Sequence, residues 1–215
     1  RDMKLWQSIV VILALLIGGG LFWYFNQSWE IKNYPSAMNG PVVMFGDSLV
    51  EGVGATFGNT LPEQLGKKIG VKIVNYGVSG DTTRDGLARL DEALLVKPKV
   101  AIVVLGGNDF LKKNSLPTGR QARDETFQNL EKIIAAFQAH GAVTVVVGVR
   151  SGIVGGGADE AYEDVAERTG SVYISEVLSG VFAPPDLMSD AIHPNDRGYE
   201  KIAERLASIL AKYLR

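Results

Sequence analysis

Any chemistry in this chain that needs an imidazole has two places to find one, because only two histidines occur in its 215 residues. His193 sits in Asp190-Ala-Ile-His193-Pro194, where a carboxylate three residues upstream can reach back to the imidazole Nδ1 and the proline stiffens the turn. His140 stands before Gly141 at the end of a helical pattern, where a polar C-cap is its simpler use. An imidazole held in one tautomer can take the proton of a serine hydroxyl, and the activated serine attacks carbonyl carbon. Ser48, in Gly46-Asp47-Ser48-Leu49, follows a strand-like run directly and precedes a turn or helix start. The bland alternative is a helix cap. Ser79 and Ser151 lie on neighbouring loops, and spacing alone leaves all three serines open. No G-x-S-x-G elbow is present, so the serine is not placed as in α/β-hydrolases.

Acyl transfer also needs donors for a tetrahedral oxyanion, each worth roughly 3 kcal/mol of barrier when well placed. Gly80 offers an unobstructed backbone N–H and Asn108 a side-chain amide, although Asn between Gly and Asp is also a common turn residue. Two other chemistries compete. Asp47, Asp81, Asp109 and Asp190 all fall near strand ends and could hold a divalent metal, but no D-x-D spacing or phosphate-binding P-loop supports that use. Gly52-Val-Gly54-Ala-Thr-Phe-Gly58 resembles a dinucleotide fingerprint superficially. It has one residue too many before its third glycine and does not abut the strand, so it reads as a flexible loop.

Positioning these groups falls to alternating strand and helix patterns. Strands are expected at Val42–Phe45, Val71–Tyr76, Val100–Leu105, Val143–Val149 and Val172–Ile174. Several are apolar at nearly every position, as strands covered on both faces are. Thr60-Leu-Pro-Glu63 is a capping box that opens a helix to about Lys68. Further helices are expected over Arg84–Leu95, Asp124–Ala139, Glu160–Arg168 and Arg197–Tyr213. This alternation argues an α/β fold with a parallel, doubly wound sheet. In such sheets ligands bind beyond the carboxyl ends of the strands. Gly46–Leu49, Gly77–Thr83 and Gly106–Asp109 follow the first three strands with that mixture of glycine and polar residues.

Leu5–Phe25 carries no charged residue and as a helix spans roughly 30 Å, the thickness of a hydrocarbon core. Trp23, Tyr24 and Trp29 stand where an interfacial belt belongs, so the segment reads as a transmembrane anchor. A cleaved signal peptide is the alternative; the run continues past its h-region with no Ala-x-Ala site. The division expected is an anchor at 1–25, a polar linker at 26–40 and one catalytic domain at 41–215. Net charge is −2 with 46% hydrophobic and 21% charged residues, which leaves no basic surplus for nucleic acid. The absence of cysteine excludes disulfides and thiol chemistry.

From about Val42 onward the chain resembles bacterial SGNH/GDSL hydrolases, within them the periplasmic thioesterase/lysophospholipase group. Four blocks carry the resemblance in order: GDSL at Gly46–Leu49, NYGVSGDTT at Asn75–Thr83, GGND at Gly106–Asp109 and DAIHP at Asp190–Pro194. The resemblance implies Ser48 as nucleophile, His193 as base and then acid, and Asp190 as its orienting group. It implies an oxyanion hole from the Ser48 N–H, the Gly80 N–H and the Asn108 amide. It further implies a flavodoxin-like three-layer fold with five strands ordered 2-1-3-4-5, and no metal or organic cofactor. Phe110, Leu111, Ile153 and Val154 flank the expected crevice as candidates for an acyl pocket, or equally for ordinary packing. The glycine-rich Arg150–Gly157 segment is shorter than the thioesterase group's substrate loop, which weakens any transfer of acyl-chain preference. The expected activity is hydrolysis of carboxylic esters or thioesters, including lysophospholipids, by a monomer tethered on the periplasmic side. A carbohydrate O-deacetylase with the same catalytic residues and a non-catalytic displayed binding domain are the alternatives.

Overall fold

The computed structural model describes residues 29–111, 120–149, 158–175, 177–182 and 184–214. The expected anchor at 5–25 lies outside them; among the described residues no helix is long and apolar enough to cross a membrane. Five parallel strands form one sheet: β1 (Val42–Gly46), β2 (Ile73–Gly77), β3 (Val100–Val104), β4 (Val143–Val147) and β5 (Val172–Ile174), ordered β2-β1-β3-β4-β5. Every residue of β1, β3 and β4 is buried, which accounts for their unbroken apolar runs. Edge strand β2 keeps Asn75 exposed and buries only Ile73 fully.

The helices are α1 (Ser48–Glu51), α2 (Leu61–Ile69), α3 (Thr83–Ala88), α4 (Leu90–Leu94), α5 (Gly107–Leu111), α6 (Arg120–Ala139), α7 (Ala158–Thr169) and α8 (Asp196–Leu210). The chain moves outward from β1 to β2, then crosses back past β1 to β3 and on to β5. Right-handed crossovers therefore put α2 on one face of the sheet and α3 to α7 on the other. Consistent with that division, α2 packs on α8, while α6 contacts α3, α4, α5 and α7. The Thr60 capping box forms as the sequence implies, with Glu63 accepting from the Thr60 N–H at 3.0 Å.

Three expectations need correction. The single helix expected over Arg84–Leu95 is two, interrupted at Arg89, whose backbone leaves helical geometry at φ −112° and ψ 11°. Strand β2 starts at Ile73 rather than Val71, because the Val71 N–H is taken by the Gly66 carbonyl at the end of α2. The expected linker is also partly built into the α/β unit, which begins at Ile31. The Lys32 N–H donates to the Gly170 carbonyl at 2.8 Å, and the Asn33 amide donates to the carbonyls of Gln138 and Ala142 at 2.9 and 3.0 Å. Polar composition marked this stretch as a linker; its side chains instead satisfy carbonyls at the lower end of the sheet.

Candidate active site

The parallel register sets Gly46 opposite both Gly77 and Val104. The segments leaving β1, β2 and β3 therefore emerge at one edge of the sheet. A Cβ on Gly46 would lie 2.1 Å from the Val104 carbonyl oxygen, so only glycine permits the first strand to end here. Asp47 follows as the cap of α1, its Oδ1 accepting from the Leu49 N–H at 3.0 Å. Ser48 is thus the first residue of a one-turn helix held rigidly to a buried strand.

The opposite wall is the loop before α8. Met188 and Pro194 form an isolated antiparallel bridge, and the Asn195 side chain caps α8 while donating to the Asp186 carbonyl at 3.0 Å. Asp190 Oδ1 accepts from the Ile192 and His193 N–H groups, both at 2.8 Å. Its Oδ2 lies 2.7 Å from His193 Nδ1, and His193 Nε2 lies 3.1 Å from Ser48 Oγ. With the Nδ1 proton held by Asp190, Nε2 is the acceptor for the serine hydroxyl. The backbone N–H of Ile192 foremost, then the His193 ring, hold the Asp190 carboxyl down at about 2. Asp190 is therefore an anion facing the imidazole at any ordinary pH.

Asn108, on α5, donates its amide to the Asp81 carbonyl at 3.0 Å and lies 3.5 Å from Asp47 Oδ2. Gly80, at φ +83°, immediately precedes Asp81. The glycine turn and the asparagine are thereby linked beside Ser48. The neighbouring Asp109 accepts from the Thr83 N–H and hydroxyl at 2.9 and 2.6 Å, which fixes the start of α5 to the start of α3. Leu49, Asn108, Leu111, Val149, Phe182 and Ile192 line a cleft around Ser48 and His193.

The remaining candidates separate cleanly. Ser79 is exposed and its N–H donates to Glu51 Oε2 at 2.5 Å; Ser151 lies outside the described residues, as do Ile153 and Val154. His140 turns its Nδ1 to the Ala136 carbonyl at 2.8 Å, a helix-end use. Leu111 lines the cleft, but Phe110 does not: its ring packs toward Phe127 with centroids 6.3 Å apart. Successive helical residues point about 100° apart, which lets Leu111 face the cleft while Phe110 turns toward Phe127. Asp47, Asp81, Asp109 and Asp190 each serve a different partner. Among the described residues no group of three or more acidic or histidine side chains is arranged to hold a metal ion.

The glycine-rich loop after α1 also needs correction, because it is a docked element. The Tyr199 hydroxyl donates to the Val53 carbonyl at 2.7 Å. Asp196 accepts from the Thr56 N–H and hydroxyl at 2.7 and 2.6 Å. A Cβ on Gly54 would lie 2.5 Å from the Pro194 carbonyl oxygen. The serine-bearing and histidine-bearing segments are tied together here, a contact that no local pattern announced. Phe182 and Val149 were also missed, since neither sits in a motif.

A model of the GDSL-like lipase/acylhydrolase family matches residues 44–201. An arylesterase from Vibrio mimicus is 29% identical over 188 residues, which cover 80% of this chain and 89% of that protein. The thioesterase 1/protease 1/lysophospholipase L1 of Escherichia coli (strain K12) is 30% identical over 189 residues, covering 84% of this chain and 88% of that one. The crystal structure of AlinE4, an SGNH-hydrolase family esterase, matches with a TM-score of 0.60 at 33% identity, covering 83% of this chain and all of that chain.

Proposed function

The chain belongs to the GDSL-like lipase/acylhydrolase family, and from that membership we propose that Ser48, His193 and Asp190 are the nucleophile, base and orienting acid of its ester hydrolysis. What supports these roles is one observation: the unbroken run from Ser48 Oγ to His193 Nε2 at 3.1 Å and from His193 Nδ1 to Asp190 Oδ2 at 2.7 Å. The chain is a serine esterase. His193 Nε2 takes the hydroxyl proton as Ser48 Oγ attacks the acyl carbon. The oxyanion so formed accepts from the Ser48 N–H, the Gly80 N–H and the Asn108 amide. Collapse expels the alcohol or thiol, which leaves with the proton from His193, and an acyl-serine remains. Water, deprotonated by the same nitrogen, then attacks the acyl carbon and releases the acid.

The substrates are acyl esters and thioesters, lysophospholipids among them, as the names of the arylesterase and thioesterase/lysophospholipase relatives indicate for those proteins. Leu111, Phe182 and Ile192 give the acyl group apolar contact. The uncharged Leu5–Phe25 segment anchors the protein so that the catalytic domain lies on the extracytoplasmic side.

One experiment tests both parts. Membrane and soluble fractions of cells expressing the full chain are assayed with p-nitrophenyl esters from acetate upward and with acetylated sugars. Ester hydrolysis is expected in the membrane fraction, and Ser48→Ala is expected to lower it by about 10³-fold or more. An active Ser48→Ala variant overturns the nucleophile; activity confined to the soluble fraction overturns the anchor; hydrolysis of acetylated sugars alone moves the substrate class to carbohydrate.

A further inference from the structure

Arg89 interrupts the helix between α3 and α4, and its guanidinium runs inward to the edge of the sheet where the site is built. Its Nη2 donates to the Gly46 carbonyl at 2.8 Å, its Nη1 to the Tyr76 carbonyl at 3.1 Å, and its Nε to Asp81 Oδ2 at 2.5 Å. The guanidinium carbon sits 4.4 Å from the centre of the Phe45 ring. The side chain is only 17% exposed and its Asp81 partner 11%. Burying such a pair is expensive, and apolar residues of similar size often serve stability as well. A planar fork that meets three acceptors at once is the use for which arginine has no substitute.

The three acceptors are not scattered. Gly46 is two residues before Ser48, and its carbonyl also accepts from the Val78 N–H at 3.1 Å. Tyr76 precedes the glycine turn, and Asp81 follows Gly80 directly. The Asp81 carbonyl in turn holds the Asn108 amide at 3.0 Å. Every donor assigned to the oxyanion thus lies within a few bonds of an atom that Arg89, or its partner Asp81, holds in place.

We infer that Arg89 is the positioning residue of the oxyanion hole, pinning the ends of β1 and β2 and the Gly80–Asp81 turn so that the Ser48, Gly80 and Asn108 donors converge on one point. The inference rests on the esterase reading above. Arg89 touches no substrate. It acts on the donors' geometry and therefore on the transition state, because the oxyanion exists there and not in the bound ester. Binding of the ground-state ester, which the cleft wall governs, is left alone.

The test is steady-state hydrolysis of a p-nitrophenyl ester by the full-length protein. It is paired with inhibition by a trifluoromethyl ketone, which adds the serine hydroxyl and places an oxyanion in the same hole. Arg89→Met is expected to lower kcat by about 30- to 300-fold with KM within about threefold, and to raise the ketone Ki by the same factor as kcat/KM falls. Arg89→Lys keeps the charge but cannot span three acceptors, and is expected to lose about tenfold in kcat. It carries the test if Arg89→Met does not fold. A folded Arg89→Lys with wild-type kcat overturns the inference, as does a loss that appears in KM while the ketone Ki stays put. A wild-type protein that hydrolyses no ester overturns the underlying esterase reading instead.

Discussion

Asp47 stands one residue before the serine and Asp190 three before the histidine, and the fold treats the two carboxylates in opposite ways. Asp47 is 3% exposed at the end of a buried strand, and burial foremost pushes its carboxyl up to about 6. The Asp190 side chain is half exposed, yet two backbone N–H groups and the His193 ring hold its carboxyl at about 2. The serine wall is fixed by the sheet, whose burial penalises any charge left there. The histidine wall is a surface loop fixed by its own hydrogen bonds, and it keeps its anion because those bonds require one. The imidazole is thus oriented by local chemistry and the serine by global packing.

If that contrast is right, cutting the local bonds on the histidine side has the largest effect. Asp190→Ala is expected to reduce kcat by about 10³- to 10⁴-fold, as loss of an orienting acid does. It also changes acid stability with a definite sign. A carboxyl lowered on folding contributes stability that is fully present above its unfolded value, about 3.9, and is lost as pH falls through that value toward 2. Thermal midpoints measured between pH 2 and 5 are expected to depend less steeply on pH in the variant. An unchanged slope breaks the claim that Asp190 is held as an anion.

Asp47→Asn probes the other wall and is expected to act on stability with the opposite sign. A carboxyl raised on folding gives its contribution below the unfolded value, and that contribution is lost as pH rises through about 6. Asparagine keeps an acceptor for the Leu49 N–H and carries no charge. Urea unfolding is expected to show the variant more stable than wild type by about 2 kcal/mol at pH 8 and nearly equal at pH 4. A variant less stable at pH 8 would show that the buried charge is better accommodated than its surroundings imply.

The smallest effect sharpens the comparison at the joint between the walls. Asp196→Ala removes the acceptor for the Thr56 N–H and hydroxyl and for the Asn59 amide. A fall in kcat of about two- to tenfold is expected, since misplacement of a catalytic pair is felt even at a distance. Faster amide exchange at Thr56 is expected with it, and unchanged exchange would place the restraint elsewhere.

The strands and the polar clusters that end them were legible because fully buried strands carry unbroken apolar runs and chain reversals need glycine. His193 was legible for a different reason: few imidazoles were on offer, and Asp190 lay within reach, whereas Ser48 stayed one of three serines until the four blocks of the resemblance singled it out. What escaped depends on where a side chain points once the chain is folded. The phase of α5 separates Leu111 from Phe110 although both are apolar neighbours. Arg89 lies in a helix-like amphipathic pattern, and only the nearness of Gly46 and Tyr76 in space draws it inward. The docking of Asn33 and of the Gly52–Gly58 loop likewise relies on partners about a hundred residues or more away.

The packing of α8 on α2 has a consequence in time. Ser48 and His193 are 145 residues apart, and His193 enters the site just ahead of α8. A chain emerging N-terminus first from a ribosome exposes its serine long before it exposes its imidazole. Until His193 reaches it, that serine is an ordinary alcohol. Reactivity therefore waits on the meeting of Ser48 with His193, and the appearance of hydrolysis reports that the C-terminal part of the domain has joined the rest.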